Sequence, residues 1–471
     1  MRTSYVCLLL LCCCSWLCCL SQAQMSVNPP LNPVSHRPRI RAVNLGGWLV
    51  TEGWILPSLF DGIPNKDLLD GTQLQFKSVT QNAYVAAEQG GGAALVANRA
   101  TASGWETFKL WRIDQTTFNF KVFGNQFVGV GSTGVVVATV TTPGPSETFK
   151  LVRNDNQNRM RIRAPNGLFL QANKDEKAAE VMRNHWNTYI VEDDFRFIAA
   201  NGLNAVRIPV GWWIASGANP PAPYVGGSLQ ALDNAFKWAE AHKLGVIIDL
   251  HAAPGGQSPN EHSSTRDGTQ SWGTTDSNIA QTVQVIDFLA ARYAKRPSLL
   301  AVELMNEPLA PGVSLDSLKR YYQDAYKKVR KYSPKTYVIM SNRLSAPSTE
   351  LLDFAEKFPR SVIDVHYYTL FDNKFNSFTV QQNIDYVRNT IADDLRKITR
   401  RNGALTFVGE WVAEWKVPSA TKEDYQRFAN AQMEVYRQAT FGWAYWTYKN
   451  VNNHWSMEWM IKNRYISLTN A

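Results

Sequence analysis

Short apolar runs recur along the chain at 40–45, 204–208, 244–250, 299–305, 336–341, 361–366, 405–409 and 441–446. Each is continuous rather than alternating, the pattern of strands buried on both faces in a parallel sheet. Between most of them lie amphipathic stretches of helical length, at 228–243, 277–295, 314–331, 380–401 and 422–438. Eight strands alternating with helices predict an α/β fold closed into a (β/α)8 barrel. The rival, an open doubly wound sheet, would need a Gly-rich phosphate loop after its first strand, and none is present.

One stretch, 72–181, breaks the alternation. It is rich in Val, Phe, Thr and Gly, has few helical periods, and repeats itself. Asn82-Ala83-Tyr84-Val85, Asn125-Gln126-Phe127-Val128 and Asn166-Gly167-Leu168-Phe169 are nearly evenly spaced. Trp105-Glu106-Thr107-Phe108-Lys109-Leu110 returns as Ser146-Glu147-Thr148-Phe149-Lys150-Leu151. Three all-β units predict a β-trefoil, similar to the fascin-like modules. The barrel is then 25–71 plus 182–471. The insert lies between the first strand and a helix expected at 184–200, in the first βα loop, on the face where barrel active sites sit. It should stand beside the cleft, as a stabilising decoration or as an auxiliary glucan-binding wall.

The 471 residues, 45% hydrophobic and 19% charged, suit one large barrel plus a module. Residues 1–24 read as a secretory signal, with Arg2 at the start, an apolar run over 6–20 and small residues at Ser21-Gln22-Ala23. That run is too short to favour a membrane anchor. All six cysteines lie within it, so the secreted chain is expected to fold without disulfides, outside the cell or in its wall. A net charge of +9 without a long Lys/Arg run argues against a nucleic-acid partner, and a monomer is expected. Sixteen tryptophans suit a sugar ligand, because flat indoles stack on the apolar faces of pyranoses.

Candidate chemistry gathers at the strand ends. Leu304-Met305-Asn306-Glu307-Pro308 closes the fourth run, and Phe407-Val408-Gly409-Glu410-Trp411 the seventh. Acids there point into the barrel mouth from opposite sides. Glycoside cleavage needs such a pair, one carboxyl to protonate the leaving oxygen and one to attack or stabilise the anomeric carbon. Glu414 competes with Glu410 but lies four residues further into the loop. Arg207 ends the second run, where its charge would keep Glu410 ionised. Glu410 should in turn raise the pKa of Glu307 and keep its proton available. Glu303 shares the parity of Glu307 one layer lower, either supporting Arg207 or forming a buried paired acid. His251 and His366 also end strands and are read as cleft lining. No carboxylate–histidine cluster with i, i+4 spacing suggests a metal, and no cofactor is expected. His36, His185, His242, His262 and His454 carry no such signal. Trp446 closes the eighth run as a platform for a sugar, and Trp48, Trp212, Trp213, Trp411, Trp415 and Trp455 are candidates for further cleft walls.

Several separated motifs resemble glycoside hydrolase family 5, and within it the exo-β-1,3-glucanases and their plant relatives bearing a trefoil insert. They are Val43-Asn44-Leu45-Gly46-Gly47-Trp48-Leu49, Val206-Arg207-Ile208-Pro209, Asp249-Leu250-His251, Asn306-Glu307-Pro308, His366-Tyr367-Tyr368, Gly409-Glu410-Trp411 and Trp446-Thr447-Tyr448-Lys449. The resemblance implies a retaining double displacement, with Glu307 as acid/base, Glu410 as nucleophile, and carboxyls about 5–5.5 Å apart. It also implies that Asn306 binds the sugar 2-hydroxyl, Tyr368 hydrogen-bonds the nucleophile and Glu52 grips the terminal glucose. The substrate it implies is a β-glucan or β-glucoside, cleaved from a pocket that releases glucose, with transglucosylation as a side reaction. The alternatives are an endo-β-1,4-glucanase or mannanase on the same barrel, and a glucan-binding wall protein whose barrel is idle.

Overall fold

The computed structural model describes residues 39–468, apart from 62–67, 69, 79–81, 115, 132–134, 155–156, 164–176, 222–223 and 266–267. The expected signal and the third insert repeat at 166–169 lie outside the described residues. Eight parallel strands close a barrel in chain order. They are β1 (Ile40–Asn44), β2 (Ala205–Gly211), β3 (Gly245–Ala252), β4 (Leu299–Glu303), β5 (Tyr337–Ser341), β6 (Ser361–Tyr367), β7 (Leu405–Trp411) and β8 (Gly442–Tyr445). The ring closes where β1 pairs with both β2 and β8.

The helices start where side chains can cap them. Thr275, Ser314 and Thr421 each accept a backbone N–H from the first turn of Asp276–Tyr293, Leu315–Tyr332 and Lys422–Tyr436. The helix expected at 184–200 is two helices, Lys177–Thr188 and Glu192–Ala200. The break falls at Val191, whose N–H donates to Asp194 Oδ2 at 2.9 Å and opens the second helix.

Strand periodicity sorts the barrel interior into layers. At the bottom Ala42, Ala205, Ile247, Ala301, Ile339, Val362, Phe407 and Ala444 form one apolar cluster. Two residues further on, the same inward faces carry Asn44, Arg207, Asp249, Glu303, Ser341, Asp364, Gly409 and Trp446. The change from apolar to polar takes place within one step of the strand period. It puts the ionisable groups at one end of the barrel, above a dry floor.

The insert follows β1 and precedes the helix at Lys177. Its strands run from Gln73–Gln75 to Gln157–Arg163 and pair antiparallel throughout. They pack around Phe108, Leu110, Phe118, Phe120, Phe149 and Leu151. The repeated motifs have equivalent structural roles. Glu106 accepts the N–H of Ser103 at 2.8 Å, and Glu147 accepts the N–H of Gly144 at 2.8 Å. Thr107 and Thr148 then donate to the carbonyls of the same two turn residues, at 2.7 and 3.0 Å. Asn82 and Asn125 both adopt positive φ, of 51° and 64°, a conformation Asn tolerates better than most residues.

Candidate active site

Above the polar layer the chain opens a cavity of about 820 Å3, walled by residues at or beyond the ends of every strand except β2. Glu52, His251, Asn306, Glu307, His366, Tyr368, Glu410 and Trp446 all line it. Arg207, the ninth residue singled out from sequence, lies beneath, fully buried.

Arg207 organises the floor. Its Nε and Nη2 hold Glu303 in a bidentate pair at 2.7 and 2.9 Å, and Nη2 also lies 3.2 Å from Asp249. The remaining donors reach Asn44 Oδ1 at 2.9 Å, Asn306 Oδ1 at 2.8 Å and Glu410 Oε1 at 3.0 Å. The other Glu410 oxygen accepts the Tyr368 hydroxyl at 2.6 Å. With Oδ1 of Asn306 taken by Arg207, its buried Nδ2 has no partner among the described residues and is left to donate to a ligand.

Glu307 differs from its expected position. β4 ends at Glu303, so Glu307 sits beyond the strand, in a turn with φ of +43°. A non-Gly residue is strained there, and such strain persists only where neighbours over-determine it. Here Asn306 N donates to Leu250 O at 3.0 Å, and Gln257 Nε2 donates to Asn306 O at 2.9 Å. The β6–β7 register slips at Val365 and sets His366 opposite Glu410. Gly409 has no room for a side chain, because a Cβ there would strike the Asp364 carboxylate. That carboxylate accepts Gly409 N at 2.7 Å and His366 Nε2 at 3.0 Å.

His366 faces carboxylates on both sides. Its Nδ1 donates to Glu307 Oε1 at 2.6 Å and lies 3.6 Å from Glu410 Oε2. One ligand-type atom from each of Glu307, His366 and Glu410 falls within 4.8 Å of the other two, as it does for Glu303, Asp364 and His366. In both triads the donors face one another, and Glu410 is also held by Arg207 and Tyr368.

The charge balance corrects two expectations, since Glu307 is lowered rather than raised and Glu410 is raised in spite of Arg207. Burial opposes ionisation of Glu307, but the His366 hydrogen bond and the charges of His366, His262 and His251 outweigh it and hold the carboxyl down at about 2. Burial pushes Glu410 up, His366 pulls it back, Glu307 adds to the rise, and Arg207 and His251 oppose it. The sequence predicted a raised Glu307 because it considered the two acids alone. His366 reverses the order by lying nearer to Glu307. Burial would lower His366 itself, yet Glu410, Asp364 and its two hydrogen bonds raise it well above the usual histidine value. Burial likewise raises Glu52 to about 7, against the His251 charge and the Trp54 indole, which donates to it at 3.0 Å.

Among the cavity residues that sequence reasoning missed, two stand out. His262 lines the cavity with Nε2 3.6 Å from Glu307 Oε2, and burial lowers its pKa to about 4. Trp54 lines it too, edge-on to Trp455 with ring centroids 5.0 Å apart. Both lie in loops without periodicity, so only their residue types could have drawn attention. Trp446 stacks on His251 at 5.3 Å and 6°. Of the further tryptophans considered, Trp455 lines the cavity, while Trp48, Trp212, Trp213, Trp411 and Trp415 are buried in the core. Their neighbours explain this, since Trp48 stacks on Trp238 and Trp411 packs against Trp443 and Tyr445. Glu414 bonds instead to Tyr425 and His454, at 3.0 and 3.1 Å. Among the described residues, no insert side chain lines the cavity.

Residues 170–452 match the family described as Cellulase (glycosyl hydrolase family 5), and residues 65–195 match a domain of unknown function, DUF7910. The probable glucan 1,3-β-glucosidase A of Emericella nidulans is 32% identical over 325 residues, 61% of this chain and 79% of that protein. The Aspergillus niger protein of the same description is 28% identical over 461 residues, 90% of this chain and 86% of its own length. In three dimensions the chain is similar to a rutinosidase from Aspergillus niger, with a TM-score of 0.59, 17% identity, and coverage of 91% of this chain and 97% of that one. At that identity the likeness concerns the fold.

Proposed function

The chain belongs to the cellulase family, glycosyl hydrolase family 5, and from that premise we propose that it is a secreted, retaining β-glucosidase acting on β-1,3-glucan or related β-glucosides. It is a glycoside hydrolase with curated relatives described as glucan 1,3-β-glucosidases. The observation that carries the finer reading is the separation of the two acids. Carboxylate oxygens of Glu307 and Glu410 come within 4.8 Å of each other. So close an approach of single oxygens favours a retaining pair, whose carboxyl groups stand about 5–5.5 Å apart, over an inverting pair, whose groups stand about 6.5–9.5 Å apart to admit a water.

In the first step a Glu410 oxygen attacks the anomeric carbon, while Glu307 protonates the departing oxygen. The bond from Arg207 to Oε1 and the bond from the Tyr368 hydroxyl to Oε2 fix the orientation of the Glu410 carboxylate. The proton for Glu307 is close at hand. At rest the proton of the 2.6 Å bond sits on His366 Nδ1; it crosses to Glu307 as the leaving oxygen gains charge, which leaves His366 neutral and bonded to Asp364 through Nε2. In the second step water attacks, the bond to Glu410 breaks, and Glu307 takes the proton. A second glucoside in place of water gives transglucosylation. The unpartnered Asn306 Nδ2 supports a bond to the 2-hydroxyl, Trp446 in the cavity wall supports contact with the sugar's apolar face, and the unpartnered oxygen of Glu52 supports a grip on ring hydroxyls.

The test is chemical trapping. A 2-deoxy-2-fluoro-β-glucoside should glycosylate the protein, with the label on the peptide containing Glu410, and NMR should show the β-anomer as the first product. A first product of α configuration, or a label elsewhere, would sink the assignment. Digestion of end-labelled β-1,3-glucan separates exo from endo action, since an exo enzyme releases glucose from the first time point.

A further inference from the structure

Behind Glu307 lies a second cavity, of about 190 Å3, which shares Glu307, Leu344, Ser345 and His366 with the large one. We propose that it is a water entrance, which feeds the second displacement from the side while the large mouth is still occupied by the departing aglycone. This rests on the retaining reading above.

The lining favours water over sugar. Asn342 Nδ2 donates to Ser348 O at 2.6 Å, while its buried Oδ1 has no hydrogen-bond partner among the described residues. The Ser348 and Tyr367 hydroxyls both donate to Asp394, at 2.6 and 2.7 Å. Apolar side chains of Leu344, Ala346 and Val365 share the wall with these groups, and a cavity of this size has room for several waters at about 30 Å3 each. Ser345 is exposed, and Ala346 and Ser348 are half-buried, so the wall reaches the surface.

The position suits the chemistry. In deglycosylation a water oxygen forms a bond to the anomeric carbon, the bond to the Glu410 oxygen breaks with its electron pair returning to the carboxylate, and Glu307 takes the proton. The water must therefore approach on the side of Glu307, the side through which the aglycone leaves. An aglycone lingering in the large mouth blocks water from that direction and can attack in its place. A side entrance at Glu307 lets water compete before the mouth has cleared, and so favours hydrolysis over transfer.

The series Ala346→Val, Ala346→Leu and Ala346→Phe narrows the entrance in steps without altering any group of the reaction. With an aryl β-glucoside as donor and acceptor, the ratio of transfer to hydrolysis should rise several-fold along the series. The pre-steady-state burst of phenol, which reports the first displacement, should stay unchanged. A flat ratio overturns the proposal, and so does a burst rate that falls with aglycone size, which would make the cavity an aglycone subsite. If the Phe variant does not fold, the Val and Leu variants decide by the same readout. Failure of the fluoroglucoside to label the unsubstituted protein would instead remove the retaining reading, and that result is independent of the ratio.

Discussion

The barrel and its insert are both built from strands with a two-residue period, yet they use their inward positions in opposite ways. The barrel turns Arg207, Asp249, Glu303 and Asp364 inward, all fully buried, and crowns them with Glu307, His366 and Glu410. The insert turns Phe108, Phe118, Phe120 and Phe149 inward and keeps its repeated acids, Glu106 and Glu147, for capping turns. In the barrel a motif marks chemistry; in the insert a repeated motif marks architecture. A recurrent acid is therefore not evidence of function until its partners are known.

The contrast can be broken most sharply at Glu410, the proposed nucleophile. Glu410→Gly should reduce turnover of an aryl glucoside to background, and added azide should restore it through a new glycosyl product. Absence of rescue would demote Glu410. Next, Glu307→Ala should slow substrates with poor leaving groups by about 10²–10⁴-fold, the range for loss of general acid catalysis. A loss that is equal across leaving groups would remove it as the acid. Arg207→Met leaves Glu303, Asp249 and Glu410 without their shared cation. Breaking a buried ion pair on one side costs about 3–5 kcal/mol, which urea unfolding would measure. Removing 73–180 with a short linker should leave aryl-glucoside turnover nearly unchanged, since no described insert side chain lines the cavity. Total loss would mean the barrel needs the insert to form its pocket or to fold.

The smallest effect separates the two regions by pH. Burial raises Glu106, but the Ser103 hydrogen bonds and Arg99 outweigh it and hold its pKa below the ordinary value. Its stabilisation is therefore present above the unfolded carboxyl pKa of about 4.3 and is lost as pH falls through the lower folded value. His366 is raised, so its stabilisation is full below the unfolded histidine value of about 6.5 and is lost as pH rises through the folded one. Hydrogen exchange should show Thr107–Arg112 loosening towards acid and Ser361–Tyr367 loosening towards alkali. Glu106→Gln should flatten the first slope and leave the second.

Much of this was legible in the sequence. Strands buried on both faces read as apolar runs, and all eight runs fall on the barrel strands, shifted by at most three residues. Arg207 and Glu303 could be grouped because inward parity is a local property, whereas Glu410, one residue past the inward Gly409, was marked only as the acid that ends an apolar run. His262 and Trp54 could not, because loop residues reach a pocket by a path that no period describes. Trp48 and Trp411 carry the same side chain as Trp455, and only their neighbours decide which of them face solvent.

The chain by itself determined the number and order of the strands, the layer at which their inward faces turn polar, and the two glutamates that end up together. The strands and their layers are consequences of spacing along a strand, and the two glutamates were marked by the apolar runs they follow. Tertiary structure decided the charge order of the site. His366 is 59 residues from Glu307 along the chain, yet its Nδ1 lies 2.6 Å from one acid and 3.6 Å from the other. Electrostatic energy falls with distance through space, and distance along the sequence does not enter it.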